Sequence, residues 1–172
     1  MDVSTVTSDA LFFPDRTLTI PVIASEQEFR DLSLALAHTG HELLRLPNIE
    51  AFIAEMLKSD CPIAIADVDY MGEQYRLLQD YLRGLDDPPN VIALATDGSK
   101  WASLLLSGAY DLQTKPINGI QCAKSVNTGW VRWETLRRRR IAIEEYIAAL
   151  EPDSSPPEET VDYYSAVEEL DY

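Results

Sequence analysis

The spacing of apolar positions changes repeatedly along this chain, and each change marks an element. Residues 18–24 (LTIPVIA) are a β-like run in which Pro21 counts against full pairing, because proline has no N–H for a ladder. The paired part is therefore expected over Val22–Ala24. Ser25 follows as an N-cap, with Glu28 three residues on to complete a capping box. The helix that it opens carries Phe29, Leu32, Leu34, Leu36 and Ala37 and stops near Gly40. Glu42–Leu46 reads as a second strand. Asn48 can cap the next helix, whose Ile49, Phe52, Ile53, Met56 and Leu57 recur at helical spacing.

Pro62–Ala66 and Val91–Ala95 are continuous apolar runs, the pattern of parallel strands buried on both faces. Between them, residues 72–85 predict a third helix through Tyr75, Leu77, Leu78, Tyr81 and Leu82, broken at Asp86-Asp87-Pro88-Pro89. A short helix over Ser99–Ser107 and a fifth strand over Tyr110–Thr114 complete the series. Strands that alternate with helices five times over short connections predict an α/β fold, a doubly wound parallel sheet with right-handed crossovers.

From Asn118 a helical pattern runs on towards residue 150. Val126, Trp133, Arg140 and Ile147 fall seven apart, and Cys122, Gly129, Leu136, Ile143 and Leu150 form a second row. That 3-4 spacing fits a coiled-coil seam, and the expectation is a homodimer through this helix. The alternative is a long helix folded back on its own domain. Arg137–Arg140 point all round the helix, with Glu134 and Glu144 at pairing distance in sequence, so they read as a solvated and partly paired face.

The two termini differ from the body. Residues 1–17 read as a flexible leader, whose Leu11-Phe12-Phe13 cluster either docks on the domain or presents a small anchor to a partner. Residues 151–172 hold eight acids and no base, and predict a disordered acidic tail. Tyr163, Tyr164, Val167, Leu170 and Tyr172 give that tail an apolar set that a partner could order, or it serves only as a solubilising tail. Between them lie a compact domain over 18–128 and a helical extension over 129–150.

Composition narrows the classes. Of 172 residues 46% are hydrophobic and 25% charged, enough for a buried core. A net charge of −15 argues against a nucleic-acid partner. Cys61 and Cys122 have no metal-like spacing and read as reduced thiols. No secretory signal and no membrane-spanning run is visible, so a cytoplasmic location is expected.

Two stretches carry a resemblance. Ser107-Gly-Ala-Tyr-Asp-Leu-Gln-Thr-Lys-Pro-Ile117 closely resembles the fourth helix, fifth strand and Lys-Pro junction of response-regulator receiver domains, the CheY-like family. Cys61-Pro-Ile-Ala-Ile-Ala-Asp-Val-Asp69 is similar to the family's third strand, which ends in a phospho-accepting aspartate. The resemblance covers roughly residues 17 to 128. It implies a flavodoxin-like (βα)5 sheet of strand order 2-1-3-4-5, with a crevice at the carboxyl ends of the strands. It also implies a cis Lys115–Pro116 bond and signalling partners, a histidine kinase among them.

Half of the family's chemistry is kept. Asp67 aligns with the phospho-acceptor and Lys115 with the phosphoryl-contacting lysine. The paired acids that hold Mg²⁺ after the first strand are here Ala24-Ser25. Asp67, Glu26 and Asp69 are weak candidates for a rescued cation site, and Mg²⁺ is expected only if the site is active. The family's hydroxyl position is Ala95, with Thr96 beside it, and its reporting aromatic is Leu112, with Tyr110 two residues before and expected on the same face.

The expected function is therefore that of a pseudo-receiver, a non-enzymatic signalling or adaptor protein that works by protein–protein contact without phosphorylation. The alternative is a working phospho-acceptor at Asp67. A cofactor enzyme on the same fold ranks last, since Ala24-Ser25-Glu26-Gln27 is no glycine-rich phosphate loop. The family's usual contact surface (fourth helix, fifth strand, fifth helix) offers Trp101, Tyr110, Trp130, Trp133, Leu136 and Ile143 as interface candidates. The alternative for each is ordinary core packing, expected more of Trp101 than of Trp133.

Overall fold

The computed structural model describes residues 17–58 and 60–150. The leader cluster Leu11-Phe12-Phe13 and the acidic tail from residue 151 lie outside the described residues. By its packing the chain divides into two units, Met1–Arg138 and Arg139–Tyr172.

The first unit is built on five parallel strands, β1 (Thr19–Ile23), β2 (Glu42–Arg45), β3 (Ile63–Asp67), β4 (Asn90–Ala95) and β5 (Asp111–Thr114), in the order 2-1-3-4-5. The helices are α1 (Glu26–Leu36), α2 (Ile49–Lys58), α3 (Val68–Met71), α4 (Gln74–Leu82), α5 (Trp101–Leu106) and α6 (Gly119–Leu150). This is the expected doubly wound sheet with a long last helix.

Alternation along the strands divides the core between two layers. Ile23, Ala64, Ala66, Ala93 and Leu112 face a cluster with Phe52 of α2, Leu78 of α4 and Leu104 of α5. Ile20, Val22, Ile65, Ile92 and Leu94 face Leu32 and Leu36 of α1 and Val126 and Trp130 of α6. All five residues of β3 are buried, which is why its sequence reads as an unbroken apolar run.

Pro21 sits inside β1 rather than ahead of it. The carbonyls of Leu18 and Val22 accept from β2 at 2.8 Å. By alternation Pro21 therefore turns its missing donor towards β3. Pairing with β2 runs from Thr19, whereas pairing with β3 starts only at Val22. The proline shortens one ladder and spares the other.

Other departures are local. The expected helix over 72–85 is preceded by α3, which is too short to show a period; Asp67 caps it by accepting from the N–H groups of Asp69 and Tyr70. The α1 stripe is narrower than expected: Leu32 and Leu36 are buried, but Leu34 is 77% exposed.

Helix α6 approaches the body closely because small residues line its inner face. A Cβ on Gly119 would stand 2.5 Å from the Ala35 carbonyl oxygen, and one on Gly129 would stand 2.6 Å from Ile63 Cδ1. Trp130 and Trp133 follow on that face and are buried, so the first half of the expected coiled-coil seam packs on its own domain. In the second unit, Ile143, Ile147 and Leu150 are exposed.

Candidate functional site

The carboxyl ends of the strands bring together residues from five segments. Ala24 and Ser25 follow β1, Asp67 ends β3, Asp69 lies in α3, Thr96 follows β4 and Lys115 follows β5. The Lys115–Pro116 peptide bond is cis. Ser25 Oγ accepts from the Glu28 N–H at 3.2 Å, so the N-cap read in the sequence forms.

Asp67 is buried. Its Oδ1 accepts from Lys115 Nζ at 2.8 Å and from the N–H groups of Asp69 and Tyr70 at 3.1 and 3.2 Å. Its Oδ2 has no hydrogen-bond donor among the described residues. Lys115 Nζ also stands 3.8 Å from Glu28 Oε1 and 3.7 Å from Asp69 Oδ2. Burial works against its charge, but the Asp67 hydrogen bond and the three surrounding carboxylates outweigh it and hold the ammonium above its ordinary pKa.

Asp69 is engaged on both oxygens. Oδ2 accepts from the Thr96 N–H at 2.7 Å and Oδ1 from Lys100 Nζ at 3.3 Å. The Thr96 N–H is the main cause that draws the Asp69 carboxyl below its usual range, with Lys100 and Lys115 adding to it. Asp67, Asp69, Thr96 and Lys115 are thus in one place.

Glu26 is not among them. It lies in the first turn of α1 and pairs with the Arg30 guanidinium one turn on, with both side chains exposed. Glu28 faces the site instead. The sequence showed it only as half of a capping box, and Lys100 gave no signal at all, because both reach the site through the meeting of separate segments.

A divalent cation prefers several hard oxygen ligands held open to it. Here Ala24 and Ser25 supply no carboxylate. The Ala24 carbonyl accepts from Arg45 Nε at 3.3 Å. The carboxylates of Glu28, Asp67 and Asp69 surround an ammonium, not an open coordination position. Among the described residues no three His, Cys, Asp or Glu side chains form a metal-holding group. The side chains in this arrangement do not fit Mg²⁺.

The interface candidates are rearranged. Trp130 is 4% exposed and donates from Nε1 to Glu134 at 3.2 Å; Trp133 is 8% exposed, beneath the Arg137 guanidinium. Trp101 is the exposed tryptophan, at 54%, with Leu106 on the same helix at 88%. The order expected for core packing, Trp101 ahead of Trp133, is therefore reversed, while Trp101 stays exposed as an interface candidate. Leu136 and Ile143 are exposed. Tyr110 precedes β5 and packs with the α6 layer, whereas Leu112 faces the other layer. Its hydroxyl donates to Thr128 Oγ1 at 3.1 Å.

Three cations of α6 have near partners. Arg137 meets Asp60 at 2.7 Å and Asp87 at 3.9 Å, Arg138 meets Glu134, and Arg140 meets Glu144. Cys61 and Cys122 are buried free thiols, both pushed up to about 12 by burial.

The fold is the one that response-regulator receiver domains share. The chain superposes on a response regulator from Thermotoga maritima with a TM-score of 0.58 and 20% identity, covering 67% of this chain and 99% of that one. It does so on the chemotaxis response regulator CheY4 of Vibrio cholerae with a TM-score of 0.57 and 17% identity, covering 66% and 99%. With NtrX from Brucella abortus the TM-score is 0.62 at 18% identity, over 74% of this chain but only 29% of NtrX. No protein-family model and no curated protein matches the chain. Among the described residues no helix is long and apolar enough to cross a membrane.

Proposed function

We propose that this chain is a pseudo-receiver, a signalling or adaptor protein that works through protein–protein contact and does not switch by phosphorylation. One observation carries the reading: the carboxylates of Glu28, Asp67 and Asp69 are gathered on the Lys115 ammonium, and Ala24-Ser25 supply no acid pair to hold a divalent cation beside Asp67. Without a divalent cation, negative charge on an incoming phosphoryl group would meet three carboxylates and two ammonium groups already bonded to them. Transfer to Asp67 would be slow.

Two further features support it. The position of the switching hydroxyl is Ala95, fully buried at the end of β4, and Leu112 takes the place of an aromatic in β5. Contact with a partner would then use a standing surface, and α5 presents Trp101 and Leu106 for it.

A specific observation also favours a phospho-accepting Asp67. Its Oδ2 is free of donors and its Oδ1 is held by Lys115, the arrangement that an attacking carboxylate needs. Amide NMR separates the two readings. Titration with Mg²⁺ and then beryllofluoride, an aspartyl-phosphate mimic, is expected to leave the amides of Asp67, Thr96 and Lys115 in place at millimolar concentration. Saturable shifts at those residues that spread to Tyr110 would overturn the pseudo-receiver reading.

A further inference from the structure

At the amino-terminal end of the sheet, opposite the crevice, a cavity of about 460 Å³ lies between α4, the loop before β4, the turn after α5 and α6. That is within the size range, roughly 300–1,000 Å³, in which concave sites hold organic groups. Its walls include Leu82, Leu105, Leu136, Tyr110 and Trp133.

Two polar groups there lack expected partners. Trp133 is buried, yet its indole N–H has no acceptor among the described residues. Arg132 lies 5.5 Å over the Tyr110 ring and has no carboxylate at ion-pair distance among the described residues. The wall joins these apolar and aromatic side chains to charged ones, Arg83, Arg132, Asp86 and Asp87.

We propose that the occupant is the Leu11-Phe12-Phe13 cluster of the same chain. Geometry places it within reach. Val22, Ile65 and Ile92 are level across β1, β3 and β4. Thr19 and Pro89, each three residues earlier, therefore stand at one height, about 10 Å apart across two strand spacings. Pro89 belongs to the cavity wall. Phe12 precedes Thr19 by seven positions, a span of up to about 25 Å.

Chemistry agrees with the reach. The cluster is three large apolar side chains in a row, flanked by Asp9 and Asp15, either of which can serve Arg132. Of the other charged groups on the wall, Arg83 pairs with Asp80 and Asp87 meets Arg137, and Asp86 is the remaining acid. The leader thereby covers a face of α6 that Trp133 and Leu136 leave apolar.

The test uses the full chain with ¹³C-methyl leucine and NMR. Nuclear Overhauser contacts from the Phe12 and Phe13 rings to the Leu82 and Leu136 methyls are expected, and they should persist on dilution. In a leader variant, Phe12→Ser with Phe13→Ser, those methyls and the Trp133 indole N–H should shift while the crevice amides stay. A peptide of residues 8–16 added to that variant should move them back. Leu136→Glu, at an exposed position, should release the rings without unfolding the chain. Absence of these contacts, or shifts in the leader variant that spare the cavity, would overturn the proposal. Contacts seen only between differently labelled copies would overturn it too, by assigning the seat to a second copy's leader.

Discussion

The two ends of the sheet are held by different physics. At the carboxyl end, charge does the holding: Asp67 and Asp69 take five hydrogen bonds from two ammonium groups and three backbone N–H groups. At the amino end, packing does it, as α6 lays Gly129 against Ile63 and Tyr110 and buries Trp130 and Trp133. The functional crevice of a doubly wound fold is the charged end. Here the Lys115 ammonium stands among three carboxylates at that end, and a cavity lies at the other. A fold fixes where a site can be, and side chains decide whether it is available.

The strongest way to break the amino end is to force α6 away from it. A Cβ at Gly129 already stands 2.6 Å from Ile63 Cδ1 and 3.0 Å from Tyr110 Cε1, and Ile63 is fully buried with nowhere to turn. Gly129→Leu should destabilise the chain by more than about 3 kcal/mol, beyond ordinary overpacking, because several atoms must fit where one does not. Gly129→Ala should cost less, since the better helix propensity of alanine returns about 1 kcal/mol. Urea unfolding reads both. Near-equal stability of the leucine variant would show that α6 is not held by close approach.

At the charged end the matching change is Lys115→Ala. It leaves the Asp67 carboxylate buried with two N–H donors and no counter-ion. Removing one partner of a buried pair costs roughly 3–5 kcal/mol, and the lower figure is expected because Lys115 itself is partly reached by water. Asp67→Asn should cost less, since the amide oxygen can still cap α3 and the lysine retains Glu28 and Asp69. An equal loss from both variants would show that the cap matters more than the charge.

The two ends also answer to different ranges of pH. His41 lies at the amino end, where its Nδ1 accepts from the Leu18 N–H at 3.4 Å and its ring meets Trp130 edge-on. Burial holds its pKa below 6.5 against a raising contact from Asn127. The unfolded chain therefore binds the proton first. The stability that His41 confers is complete above pH 6.5 and is lost as pH falls through the folded-state pKa, by at most about 1.4 kcal/mol per pH unit. Asp69 has a lowered pKa, so its contribution is lost only as pH falls below the ordinary carboxylate value of 3.8. Between pH 7.5 and 5 the melting temperature should fall through His41, and His41→Gln should flatten that slope. An unchanged slope would place the sensitivity elsewhere.

How much of this was legible in the sequence follows the same division. β3 and β4 were readable because burial on both faces leaves an unbroken apolar run, and the α1 start because a capping box is local. The family stretch around Lys115 carried the sheet order and the Lys-Pro junction. What failed needed the third dimension. Trp101 and Trp133 exchanged roles because helical spacing shows a stripe but not which body covers it. Tyr110 left the face of Leu112 because alternation holds only inside a paired strand. Glu28, in the first turn of α1, and Lys100, just before α5, reach Lys115 and Asp69 from segments far apart in sequence, and no spacing rule joins them.

Substitutions at the exposed apolar residues of the second unit should have the smallest effect. Ile143 is 59% exposed, Ile147 52% and Leu150 61%, at the spacing of a short seam. Their neighbours in the first half of α6, Cys122, Val126 and Gly129, are taken up by the domain. That leaves about two heptads from Leu136 to Leu150, fewer than the three or four that a stable coiled coil usually needs. Ile143→Ser should therefore change unfolding free energy at low concentration by no more than about 0.5 kcal/mol. If the seam pairs two copies, the same variant lowers the weight-average mass in sedimentation at high concentration, and Trp133→Phe, in the buried half, does not. A wild-type chain that stays monomeric throughout would remove the dimer and leave the exposed stripe to a different partner.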